Sequence, residues 1–79
     1  MLSIGNIVCI HFIMEGGETG HAYCEYLGKR NGKHVFESEL YGWKYIVDIE
    51  ADTVTHRHGS TTNVWKIDHD YTSWLDMLP

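Results

Sequence analysis

The sequence predicts a small, mainly β domain: an antiparallel meander of about five short strands, with one short helix at the C-terminus. Three observations carry that expectation. Ile, Val, Thr, Tyr, Phe and Trp are spread through runs that alternate apolar with polar residues, the pattern of half-buried strands. Glycine-bearing turns, "EGGE" and "RNGK", separate the first three runs. The single proline is the last residue, and helical spacing appears only in the tail.

The first run, "IVCIHF", leads into Gly16-Gly17, a pair able to supply the positive φ angles of a two-residue hairpin loop. With Glu15 and Glu18 flanking that loop, Phe12 faces His21, Ile10 faces Tyr23, and Cys9 faces Cys24. The second turn is Asn31-Gly32, the strongest short-range hairpin signal. It sets Leu27 opposite Phe36, Tyr26 opposite Glu37 and Cys24 opposite Glu39. Because strand side chains alternate faces, the two registers together predict a core of Val8, Ile10, Phe12, Tyr23, Leu27, Phe36 and Leu40. Ile7, Cys9, His11, Ala22, Cys24, Tyr26, Glu37, Glu39 and Tyr41 fall on the other face.

Beyond Gly42, alternation resumes in "WKYIVDIE", with Trp43, Tyr45, Val47 and Ile49 on one side. "EADT" reads as a turn into "VTHRH", placing Ile49 opposite Val54 and Val47 opposite His56. Ser60 to Asn63 reads as a polar connection, and "VWKI" as a short closing strand. In the tail, Tyr71, Trp74, Leu75 and Leu78 fall at helical spacing after capping aspartates. Short twisted strands in meander order predict a curled sheet or a small barrel of the SH3-like or Tudor-like kind, although no motif of either family is present. The alternative is an α+β layer with the helix packed across one face of the sheet.

Seventy-nine residues suit one domain, 1–79, and a chain this short buries only about 60% of its unfolded surface. Two cysteines and no signal-peptide pattern predict a cytoplasmic protein. The longest apolar runs fall far below the roughly 20 residues of a membrane span, so no membrane partner is expected. Six Lys and Arg stand against eleven Asp and Glu, a formal charge of −5, which opposes binding to a phosphate backbone unless the cations gather.

Cysteine and histidine raise the question of zinc, whose structural sites draw four such ligands in close pairs. In the predicted register Cys9, His11 and Cys24 share a face while His21 does not. Neither cysteine lies on a tight knuckle, so two reduced thiols are the simpler expectation and no cofactor is called for. His56 and His58 form an H-x-H pair that lacks further ligands nearby in sequence. No nucleophile converges with a base in a cleft, and no catalysis is expected.

Two kinds of macromolecular binding remain. Lys29, Arg30 and Lys33 cluster at one hairpin tip and would serve nucleic-acid binding if the aromatics offered stacking. Protein recognition fits the composition better, since interfaces favour Tyr, Trp and Met. The expected partner-binding residues are Tyr26, Glu37, Glu39 and Tyr41, flanked by Asp48 and Glu50, docking on a basic protein surface. A small acidic chain of this kind would suit a stoichiometric inhibitor or adaptor of the phage or mobile-element type.

Overall fold

The computed structural model describes all residues, Met1 to Pro79. Six strands follow one another: β1 (Ile7–Ile13), β2 (Thr19–Arg30), β3 (Lys33–Ser38), β4 (Lys44–Asp48), β5 (Thr53–His58) and β6 (Thr61–Ile67). Each pairs antiparallel with the next, and β6 returns to β1 to close a barrel. The mainly β antiparallel meander is therefore present, with six strands rather than about five. The extra pairing comes from "GSTT": Gly59, at φ +60°, turns the chain so tightly that Thr61 already faces His58.

The two early hairpins differ from expectation by one residue each. Around Gly16-Gly17 the loop spans Met14 to Glu18, with Met14 N–H donating to Glu18 O (2.6 Å) and Gly17 N–H to Met14 O (3.0 Å). The longer loop removes Glu15 and Glu18 from direct opposition, which would have set like charges face to face. His11 now faces His21, Phe12 faces Gly20, and Cys9 faces Tyr23. At Asn31-Gly32 the expected register holds from Arg30↔Lys33 to Gly28↔Val35, and then a bulge at Leu27 shifts it to Tyr26↔Phe36 and Cys24↔Ser38. Gly28 carries the positive φ of that bulge, +113°.

Both shifts act on β2 and exchange its faces. Cys24 and Tyr26 point into the barrel at 0% and 1% exposure, and Tyr23 points out at 62%. Leu40, expected in the core, is 84% exposed in the β3–β4 loop. The β4–β5 register shifts by two residues, Val47↔Val54 and Tyr45↔His56, so the faces of these strands are as expected.

The core runs through Ile10, Phe12, Cys24, Tyr26, Phe36, Tyr45, Val47, Val54 and Ile67, with Leu2 and Trp74 completing it. The expected C-terminal helix is a single 3-10 turn, Leu75–Met77. The tail instead lies along β1, which pairs with β6 only at Phe12 and Ile13. Asp68 N–H donates to His11 O (3.0 Å), His11 N–H to Thr72 Oγ1 (3.4 Å) and Trp74 Nε1–H to Cys9 O (2.8 Å). Buried Trp74 also meets Phe36, ring centres 5.2 Å apart. These bonds satisfy backbone groups of β1 that β6 leaves unpaired. No helix is long and apolar enough to cross a membrane.

Candidate functional site: an aromatic cleft under the β3–β4 loop

The segment "SELYGW" joins β3 to β4 and holds itself by its own backbone. Ser38 N–H donates to Trp43 O (2.8 Å), Gly42 N–H to Ser38 O (3.1 Å) and Glu39 N–H to Tyr23 O of β2 (2.9 Å). Ser38 Oγ accepts from Tyr41 N–H (3.2 Å), which accounts for a buried serine here. These bonds fix the course of the loop backbone, and its side chains Leu40 and Tyr41 face outward.

Beneath and beside the loop lies a cleft of about 350 Å3, lined by His21, Ala22, Tyr23, Ser38, Glu39, Leu40, Tyr41, Trp43 and Tyr45. Its walls are mostly apolar, with Glu39 the one carboxylate. Tyr41 stacks on Trp43 at 4.5 Å and 22°. Trp43 in turn meets His56 edge-on at 5.1 Å, His56 stacks on Trp65, and Trp65 stacks on Phe12 at 4.6 Å. The exposed ring of Tyr41 thus rests on a column of rings that reaches the core.

The residues expected to bind a partner are scattered by the fold, and only two of them meet here. Glu39 and Tyr41 share the cleft. Tyr26 is inside the barrel, its hydroxyl bonded to His34 Nδ1 at 2.9 Å, because the bulge and the longer first loop turn β2 over. Glu37 and Asp48 lie on the outer face of β3 and β4, each beside a cation: Glu37 is bonded to Lys44, and Asp48 lies 3.8 Å from Lys33. Glu50 sits in the β4–β5 turn beside the Lys29–Lys33 hairpin and is not part of the cleft. The structure also separates the zinc candidates, with Cys24 facing inward and Cys9 and His11 outward. No three His, Cys, Asp or Glu side chains come together as metal ligands do.

Both cysteines are free thiols. Burial pushes Cys24 up to about 12, with the nearby Cys9 and Glu39 adding to the effect, and burial also raises Cys9. Neither is a thiolate at neutral pH, so neither is activated as a nucleophile. Tyr45 is likewise pushed up to about 12, first by burial and then by Cys24. Cys24 and Tyr45 beneath the cleft are therefore neutral, and what the cleft offers is apolar and aromatic surface with one carboxylate, Glu39, and one imidazole, His21.

Leu40, expected in the core, is an exposed wall of the cleft, and so is Tyr23, which the register also sets in the core though it is a candidate stacking surface; Trp43, a candidate stacking surface too, is half-buried against the core. For Leu40 the signal was present in "ELYGW", where three large apolar residues crowd around a glycine, and Gly42 indeed takes φ +67° there. Comparison with known protein families, with curated proteins and with solved structures found no match.

Proposed function

We propose that this protein is a non-catalytic binding module whose cleft at Tyr23, Glu39, Leu40, Tyr41 and Trp43 docks a partner protein through a segment bearing Lys or Arg beside apolar residues. The observation that carries this reading is the convergence of three strongly exposed apolar side chains on one cleft: Tyr23 at 62%, Leu40 at 84% and Tyr41 at 65%. Clustered exposed apolar groups mark interaction sites, and a fixed loop lowers the ordering cost of binding. Aromatic faces and Glu39 favour a cation over an anion in the cleft, and the net charge of −5 steers basic partners toward the molecule. Acting stoichiometrically, such a module serves as an adaptor or inhibitor by covering the partner's basic surface.

Titrating the protein with a panel of Lys- and Arg-rich peptides, read by tryptophan fluorescence, tests this. At least one peptide should quench or shift the emission, and Tyr41→Ala and Glu39→Lys should each weaken it about tenfold, ~1.4 kcal/mol. Binding unchanged in both variants, or no binding by any peptide, would overturn the reading.

A further inference from the structure

The outer side of β3 to β5 carries a second surface, set by strand register. Three rows of side chains cross it. The middle row is Val35, Ile46 and Thr55, each paired with the next. On one side of this ridge stand Lys44 and Arg57, directly paired; on the other stand Lys33 and, opposite it at the end of β2, Arg30. All four cations line one shallow groove of about 430 Å3.

Four of the six Lys and Arg residues therefore share one face with only two carboxylates, Glu37 and Asp48, a net of +2. The rest of the molecule holds Lys29 and Lys66 against the other nine carboxylates, a net of −7, and together these give the chain's −5. Glu25, opposite Glu37 on β2, marks the border. Such segregation leaves a single face able to approach a polyanion, while all others repel it.

We infer that this face binds the phosphate backbone of a nucleic-acid duplex, independently of sequence. The two cation lines are four residues apart along the strands, about 13 Å at about 3.3 Å per residue. A duplex minor groove is about 6 Å between its walls, and the phosphates forming those walls lie roughly twice that distance apart from centre to centre. The cation lines match two phosphate strands, with the β-branched ridge between them facing the sugar edges. An acidic peptide needs only one line of cations. No aromatic ring lies on the face, so the stacking that holds single strands is missing. The groove shares no lining residue with the aromatic cleft, and the inference stands apart from the function proposed for that cleft.

Fluorescence anisotropy with a labelled mixed-sequence duplex of about 20 base pairs, in low salt, tests the assignment. The duplex should bind, and three to four phosphate contacts predict a slope of log K against log salt between roughly −2.7 and −3.6. The exposed double variant Lys44→Glu plus Arg57→Glu should lose tenfold or more, and Thr55→Glu on the ridge should also weaken binding. Tyr41→Ala in the cleft should bind duplex as the parent chain does. The inference is overturned if the duplex fails to bind, if a matching single strand binds more tightly, or if the double variant retains full affinity. Capture of a polyglutamate peptide without capture of duplex would also overturn it, assigning the face to an acidic protein.

Discussion

At Gly20 the Phe12 ring occupies the place where a side chain would be. A Cβ there would lie 2.5 Å from Phe12 Cε1, and Phe12 has little room to yield, because it is stacked against Trp65 and packed on Tyr45. Gly20→Ala should destabilise the fold by about 1–3 kcal/mol in a denaturant titration, and a change below about 0.5 kcal/mol would show that the ring is free to move. Histidines supply the second effect at this scale. His34 and His56 are buried at 4% and 8% exposure, and His56 Nε2 has no hydrogen-bond partner. Burial lowers both, aided by the charge of Lys29 at His34 and by His58 at His56. A histidine lowered in the folded state stays neutral there while the unfolded chain takes up its proton, so acid favours unfolding. Stability from these two groups is complete above the ordinary histidine range near 6.5 and is lost as pH falls below it. Tm should hold steady above about pH 7 and fall between about pH 6.5 and 5, and His56→Phe should flatten that fall. A Tm that rises over the same interval would contradict the assignment.

Between elements, the tail is a strap over the seam where β6 leaves β1 unpaired. Thr72 Oγ1 accepts from His11 N–H, and its hydroxyl donates to the carbonyl of Asp68 (2.8 Å) or of His11 (3.2 Å). Thr72→Val and Trp74→Phe keep most of the buried volume and remove these bonds or the indole donor to Cys9 O. Each should cost about 1 kcal/mol by chemical denaturation, and neutrality of both would mean that the seam closes without the tail. This use of the tail explains why its helical spacing was misleading: Trp74, Leu75 and Leu78 pack on the core, while the hydrogen bonds run to β1 rather than along a helix. The strands themselves were legible, because alternation in β1, β4 and β5 assigns the same inward residues that the structure buries. On β2 it failed. One extra residue reverses every side chain of a strand, and Leu27-Gly28 carried no stronger mark of a bulge than a lone glycine. For the candidate site, Glu39 and Tyr41 were legible as an acidic and aromatic pair. Tyr23 and Tyr26 exchanged roles through that same reversal.

Across the whole molecule, the barrel closes through only two β1–β6 pairs, Phe12↔Ile67 and Ile13↔Lys66, with the tail bonded to β1 along the rest of the seam, and the side chains suited to a partner lie on loops and outer faces. Two such surfaces differ in chemistry: the aromatic cleft with Glu39, proposed for a cationic segment, and the cationic outer face of β3 to β5. The two share no lining residue, and mild salt should weaken binding at the outer face more than at the cleft, where apolar contact contributes. The claim that the cleft recognises a basic partner is tested most directly by NMR, following backbone amide and indole resonances while a Lys- and Arg-rich peptide is added. The account predicts shifts at the Trp43 indole and at the amides of Tyr23 and of residues 39–43, with Val64 and Ile46 undisturbed. Shifts centred instead on the acidic turn at Glu50 and Asp52, or spread evenly over every carboxylate, would contradict it.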